Sequence, residues 1–499
     1  MAALRTGVGE GLPTDLRVGE VFLVGEGLLT DPPGERQVKG NILLIVPWIY
    51  DFAAYDLWSE PLGLLYIAAV IREYGYDVTL IDCLDRHHPD TPSVSGRKNP
   101  RSNRYGCGKF HKTILNKPAA LAHIPRYYGR YGIPLETFTK ELERAERPDA
   151  VLVTSGMTYW YPGPWMVLKQ VRDIYPDVPT LLGGIYATLC PEHARLSGAD
   201  YVLEGPGETQ ALALLDKLTG NVPDPGRIPR SLDDCAYPAH DLRRVVEHVA
   251  ILTSRGCPFH CTYCASRLLH PPGFARRDPI SVVDEIEHHH HTFGVTDFAF
   301  YDDALLVDAK HHIEIILDGI LQRGLSCRFH TPNGLHARHM SAELATKMFR
   351  AGFKTIRLGL ETTNAVRQHH MGDKVDASEV QRAITFLRQA GFTSSQIGIY
   401  ILAGLPGQSA SEVEKSIAYV RDCGASVKLA LYSPIPGTVE WERAVAQGMV
   451  ETNADPLLHN NSIYPLHANP SGYVALRRLK DRVREANESL LCTHPPAGF

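Results

Sequence analysis

Three cysteines fall within one short run, C-P-F-H-C-T-Y-C, in which Cys257, Cys261 and Cys264 are spaced C-x-x-x-C-x-x-C. Three convergent thiolates can ligate three irons of a cubane iron–sulfur cluster, which leaves the fourth iron open to a substrate or cofactor. A ferredoxin-type electron carrier uses four cysteines instead. A second reading adds His260 as a fourth ligand and makes a zinc knuckle, although structural zinc sites are usually assembled from two separated ligand pairs. A third is an inert cysteine-rich loop.

Elements that would position this loop can be read on both sides of it. The apolar run VAILTS leads directly into Arg255, Gly256 and the cysteines, and five further strand-like runs follow: DFAFYDD, LSCRFH, TIRLGLE, QIGIYILAG and VKLALYS. Amphipathic helical patterns separate them, so residues 249–445 are expected to form a partial (β/α)6 barrel with its chemistry at the carboxyl ends of the strands. Upstream, NILLIVP, DVTLID, DAVLVTS and TLLGG alternate with helical segments. This predicts an α/β domain over residues 40–220 with a doubly wound, mostly parallel sheet.

The remaining segments separate by composition. Residues 1–39 are glycine-rich and read as an extension, residues 221–248 are proline-rich and aperiodic as a linker is, and residues 446–499 form a tail. An insertion at about 86–148 carries Arg97, Lys98, Arg101, Arg104, Lys109, Lys112, Lys117, Arg126 and Arg130 among Tyr105, Tyr127, Tyr128 and Tyr131. Such a segment suits phosphates, bases, a lid over substrate or the acidic periphery of a ligand, and it also suits a solvated surface excursion.

Composition excludes several classes. With 499 residues, 44% hydrophobic and 21% charged, the chain is long enough for two or three globular domains and is neither collagen-like nor disordered throughout. Its net charge of -5 gives no global bias toward nucleic acid. No apolar run reaches membrane-spanning length, and the amino terminus lacks a signal-peptide pattern, so a cytoplasmic protein with reduced thiols is expected.

The strand, the run SRGCPFHCTYC and the βα units behind it resemble the radical S-adenosylmethionine (SAM) superfamily. That resemblance implies a 4Fe-4S cluster on Cys257, Cys261 and Cys264, with SAM bound at the open iron. It also implies Tyr263 near the adenine, Asp302 and Asp303 of YDD at the methionine amine, and Glu361 of LGLET at the ribose. AGLPGQS, with Gly404 and Pro406, resembles the fifth-strand turn, and YSPIPGT the sixth. Gln408 departs from the pattern, because an acidic residue is common there.

The preceding α/β domain is similar to the cobalamin (B12)-binding domain of a large subclass of that superfamily. Ser155, Gly183 and Gly184 resemble its corrin-contacting loops, and GPGET, with Gly205 and Gly207, its later turn. The first loop, PWIYDFAAYD, lacks both the G-x-G-x-x-G of dinucleotide binding and the D-x-H-x-x-G that supplies an axial histidine. Asp85, Arg86 and His87 form a D-x-H in the following loop, with Asp90 in place of the glycine. Cobalamin without a histidine from that motif is the expectation, and a domain that binds none is the alternative.

The resemblance implies an enzyme that cleaves SAM reductively and methylates an unactivated carbon of a small molecule or peptide, with an electron donor such as flavodoxin or ferredoxin. Radical cyclisation or rearrangement uses the same parts. A tRNA-modifying enzyme would use the basic insertion, but nucleic acid is the less favoured partner, and a membrane is not expected. A non-catalytic corrinoid or iron–sulfur sensor is the reading from another class. Cys107, in YGCGK, is a candidate radical or proton donor if the insertion covers the barrel mouth. His288 to His291, on a predicted helix, point to different faces and make no convergent site.

Overall fold

The computed structural model describes residues 38–96, 98–270, 273–463 and 470–493. Most of the expected amino-terminal extension, Arg97 of the insertion and parts of the tail lie outside the described residues.

The first domain is built on five parallel strands: β1 Asn41–Val46, β2 Asp77–Asp82, β3 Ala150–Val153, β4 Thr180–Leu182 and β5 Tyr201–Val202. NILLIV is apolar at almost every position because β1 is central and buried on both faces. Ile42 and Leu44 pack with the helices Leu62–Tyr74 and Glu208–Thr219, while Leu43 and Ile45 pack with Phe138 and Val167 on the other side. Helix Leu62–Tyr74 begins after Pro61 and stops at Gly75, whose φ of 113° closes it in the left-handed conformation. The strand order, β5-β4-β3-β1-β2, reverses between β1 and β3. In doubly wound sheets of this order, ligands bind outside the carboxyl ends of the strands at that reversal.

The insertion is bonded into this domain. Gly129–Tyr131 pairs antiparallel with Ile49–Asp51 of the first loop and with Lys112–Ile114, while Gly108–Lys109 pairs with Tyr55–Asp56. Phe110, Tyr128, Tyr131 and Phe138 are buried, so four of its six aromatic residues serve as core. Its cations are also largely engaged: Arg86 binds Asp56 and Glu247, Lys117 caps the Ala122 and Ile124 carbonyls, and Arg130 lies over the Trp48 ring.

The second domain is an open (β/α)6 barrel. Its strands, β6 Val249–Ile251, β7 Asp297–Phe300, β8 Arg328–His330, β9 Phe353–Glu361, β10 Ile397–Ala403 and β11 Ser426–Leu431, are ordered sequentially and pair in parallel throughout. Alternate residues such as Val249, Phe298, Phe329, Ile356, Ile399 and Val427 face outward into one core beneath the helices. The edge of β11 is closed by helix Pro470–Thr493, where Asn487 Oδ1 accepts from Val427 N at 2.8 Å and Asn487 Nδ2 donates to Val427 O at 3.1 Å.

Parts of the first domain enter the inner face of the barrel. Trp58 stacks on His330 with centroids 4.2 Å apart, and Cys107 packs with Trp58 and Ala299. Leu62 and Tyr66 pack against Ala250. After the barrel, Trp441, Ala444, Val450, Leu457 and Ile463 return to the core of the first domain. The two domains are thereby joined well beyond residues 221–248, where buried Glu60 also holds Arg243 at 2.6 Å and Ala250 N at 3.0 Å.

Candidate active site

The cysteine loop leaves the carboxyl end of β6 and is clamped at its base. Asp302, buried just beyond β7, accepts hydrogen bonds from Thr253 N and Oγ1 and from Ser254 Oγ. Burial pushes its carboxyl up to about 6 against these bonds. Ser254–Arg255 then pairs antiparallel with Ala275–Arg276. Gly256, at φ 83°, passes so close to the Gly273 carbonyl that a Cβ would stand 2.6 Å from its oxygen.

The far side of the loop rests on two other segments. Thr262 N donates to Met371 O, and Thr262 is held from the barrel's end by Glu440, whose backbone N–H donates to Thr262 O at 3.0 Å and whose carboxylate accepts from Thr262 Oγ1 at 2.9 Å. Gly372, at φ 100°, approaches His260 O so closely that a Cβ would lie 2.7 Å away. Phe259 stacks on His336 at 4.0 Å.

Four charged or aromatic groups surround the thiols. Asp303 is exposed, accepts from Ser266 Oγ at 2.6 Å and acts electrostatically on Cys257 and Cys264. Glu361 is buried at the end of β9, where a register shift beside Gly359 accompanies its left-handed φ of 68°. A non-glycine residue held there costs about 1–3 kcal/mol and is a mark of functional constraint. Lys374 Nζ lies 3.1 Å from Glu361 Oε1. Burial alone would depress the ammonium, but Glu361, Cys261 and Cys264 outweigh it and hold Lys374 above its ordinary value. Tyr263 packs with Met371, Leu402, Leu405, Ala430 and Tyr432, and its phenol is pushed well up by burial and by the neighbouring Glu361.

Gly404 and Pro406 lie in the turn after β10, and Gln408 explains that turn's conformation. Its Oε1 accepts from Gly404 N at 2.8 Å and Leu405 N at 3.2 Å, while Nε2 donates to Leu402 O at 3.0 Å. A carboxylate could make the first two bonds but not the third, so the amide satisfies the turn without a charge.

These residues fit a cluster. The Cys257 and Cys261 thiols are half-buried and raised by that burial, while Cys264 is exposed, so iron would displace protons from thiols that one short loop presents. Among the described residues no three histidine, cysteine or carboxylate side chains converge on a single ion. Three thiolates on separate corners of a cubane do not need to.

At the carboxyl edge of the first sheet, Ser155 Oγ donates to Gly183 O at 2.6 Å and Ile185 N donates to Ser155 O at 3.0 Å. Gly184, at φ 95°, is so close to the Ser155 backbone that any side chain would collide with it. Gly205, at φ 76°, donates its N–H to Thr188 Oγ1 at 2.9 Å, and Gly207 packs under Ile67. Met157 and Ile185 beside this turn are 46% and 37% exposed, an apolar pair that suits the flat face of a large ring. Glu208, of the same GPGET segment, pairs at 2.6 Å with Arg255, just ahead of Cys257, and so ties this edge to the cysteine loop.

Other expected positions lie elsewhere. His87 faces Glu247 at 2.9 Å and Arg86 is buried against Asp56, so the D-x-H segment packs the linker onto the domain. Cys107 is buried inside the barrel between Trp58 and Ala299, and burial raises its thiol to about 12. Of the four consecutive histidines, His289 is buried against His240 and His291 is exposed, and they form no common site. Lys374 escaped sequence reading, because a single lysine in the loop MGDKVD carries no signal until the fold sets it beside Cys261.

Comparison with known proteins accords with this geometry. Residues 251–420 match the family model of the Radical SAM superfamily, and residues 129–215 that of the B12 binding domain. The chain is 25% identical over 448 residues to an uncharacterized methyltransferase of Pyrococcus horikoshii, covering 85% of this chain and 84% of the relative. It is 23% identical over 454 residues to cytidylyl-2-hydroxyethylphosphonate methyltransferase of Streptomyces wedmorensis, covering 79% of each. Among solved structures, the radical SAM methyltransferase TsrM of Kitasatospora setae shares the fold with a TM-score of 0.62 at 15% identity, over 89% of this chain and 88% of that one. The two domains imply a 4Fe-4S cluster, SAM and cobalamin as cofactors, and the chain carries a radical SAM domain behind a B12-binding domain.

Proposed function

We propose that this protein is a cobalamin-dependent radical SAM methyltransferase acting on an unactivated carbon of a small molecule or peptide. The observation that carries the reading is the Arg255–Glu208 pair, which joins the base of the cysteine loop to the strand-end turn of the B12-type domain. When bound, the cluster and SAM supply an organic radical by one-electron cleavage of a carbon–sulfur bond, and cobalamin supplies the methyl group.

The chain's own residues hold and orient these groups. Cys257, Cys261 and Cys264 hold three irons, and buried Lys374 offsets the negative charge that gathers with them. Asp303, free of the clamp that occupies Asp302, is assigned to the SAM amine. Glu361 is assigned to the ribose hydroxyls, and the nest around Tyr263 to the adenine. Ser155, Gly183, Gly184, Gly205 and Gly207 line the corrin side. Trp58, Tyr105 and Tyr66 exclude water from one half of the barrel interior, which protects a reactive intermediate from quenching.

The test is anaerobic reconstitution with iron, sulfide and hydroxocobalamin, followed by reduction with SAM. Iron–sulfur and corrin absorption retained after desalting is expected, with two products: 5′-deoxyadenosine from reductive cleavage and S-adenosylhomocysteine from methyl donation. Replacing any of the three cysteines by alanine should abolish iron loading and 5′-deoxyadenosine together, and retained cleavage in Cys261→Ala would overturn the cluster assignment. Formation of 5′-deoxyadenosine alone would replace methyl transfer by radical cyclisation or rearrangement.

A further inference from the structure

Two cations lie inside the barrel without acidic partners. Arg357 of β9 and Lys428 of β11 alternate with the outward-packed Ile356, Leu358, Val427 and Leu429, so both face inward. Between them on β10 is Gly398, where a Cβ would stand 2.9 Å from Arg357 Nη1 and 3.0 Å from Lys428 Cγ. Glycine is therefore what lets the two side chains share this space. The guanidinium is oriented by Ile356 O at 3.0 Å and Gln396 O at 3.4 Å, and it also meets the Tyr400 hydroxyl, a neutral partner.

Among the described residues, no carboxylate comes within ion-pair distance of either group, and the Lys428 ammonium makes no hydrogen bond. The other deeply placed cations do not share this condition. Arg86 faces Asp56, Arg243 faces Glu60, Arg277 faces Glu285 and Lys374 faces Glu361. Arg357 and Lys428 are each half-buried, and adjacent like charges drawn partly out of water are costly unless an anion completes them. The β6–β8 side of the interior is filled by Trp58, Tyr105 and Cys107, whereas Arg357 and Lys428 stand on the β9–β11 side.

We propose that Arg357 and Lys428 bind a phosphate or phosphonate group of the substrate. The proposal rests on the barrel being the substrate site of the enzyme described above. Such a group carries roughly −1.5 to −2 near neutral pH and matches two cations, whereas one carboxylate would leave a positive charge uncompensated. Arg357 lies four residues before Glu361 on one strand face, a rise of about 13 Å, so this anion serves as an anchor remote from the reacting carbon.

Binding of inorganic phosphate to the full chain, free of cluster and SAM, tests this by equilibrium dialysis and by melting at constant ionic strength, with acetate as competitor. Phosphate should bind and raise Tm, and Lys428→Met and Arg357→Gln should each weaken binding by about tenfold or more. Lys428→Met should also raise Tm in anion-free buffer, because it removes an unpartnered charge, whereas a lysine needed only for structure would lower it. Equal phosphate binding by wild type and Lys428→Met, or no binding by wild type, overturns the proposal, and acetate competing as well as phosphate replaces it by a carboxylate substrate. Since no cofactor takes part, failure here leaves the radical assignment to be judged by the cysteine variants.

Discussion

The Lys374–Glu361 pair shows how single residues are committed at this site. A buried ion pair stabilises only when both partners are present, and removing one leaves an uncompensated charge at a cost of about 3–5 kcal/mol. Lys374→Met should therefore destabilise the cofactor-free protein by that amount in urea unfolding, and the double replacement with Glu361→Gln should recover most of the loss. Additive losses would mean that the two side chains do not depend on one another. At Gln408 the relevant quantity is donor and acceptor inventory. Gln408→Glu should cost about 1–3 kcal/mol, because it strands the Leu402 carbonyl and buries a charge in the turn, and a neutral effect in the same urea experiment would contradict the hydrogen-bond assignment.

Among the elements, the cysteine loop depends on glycines at which another segment crosses it. Gly372 combines a left-handed backbone with close approach to His260 O, so Gly372→Ala strains both. The expected result is a protein that keeps its far-ultraviolet circular dichroism but loads iron poorly, measured as iron per chain after reconstitution. Full loading would show that the loop tolerates displacement from this support. The insertion teaches the complementary lesson. Its basic, tyrosine-rich composition reads equally as a surface excursion or as a phosphate grip, yet Tyr128 and Tyr131 are buried and the strand Gly129–Tyr131 completes a small sheet with the first loop. Composition records which residues are present, and pairing decides which of them meet solvent.

For the whole molecule, buried neutral histidines link the fold to pH. His248 is depressed to about 3, and His312 and His459 to about 4, in each case chiefly by burial. Each binds a proton near 6.5 when unfolded but not when folded, so its contribution is present above 6.5 and is lost as pH falls toward the folded value, at about 1.4 kcal/mol per pH unit. Asp82 and Asp302, raised to about 7 and about 6 by burial, act in the opposite direction, because their folded forms retain protons that the unfolded chain releases above about 4. With His336, also depressed to about 3 chiefly by burial, four histidines stand against these two carboxyls and leave a net loss toward acid. Tm should fall between pH 6.5 and 5, and a flat or rising profile would show that the carboxyls prevail.

The sequence by itself determined the chemistry and the plan of the fold. Cysteine spacing is local, as are the period-two and helical patterns that set a doubly wound domain before a (β/α)6 barrel, and such features survive in a linear string. Only the tertiary structure decided which of two adjacent aspartates clamps the β6 end and which stays open, that Lys374 serves the thiols, and that Glu208 reaches Arg255 across the domains. It alone brought Arg357 and Lys428 together across Gly398. These are contacts between residues tens to hundreds of positions apart, and their energies depend on burial and distance, which exist only after the chain has folded.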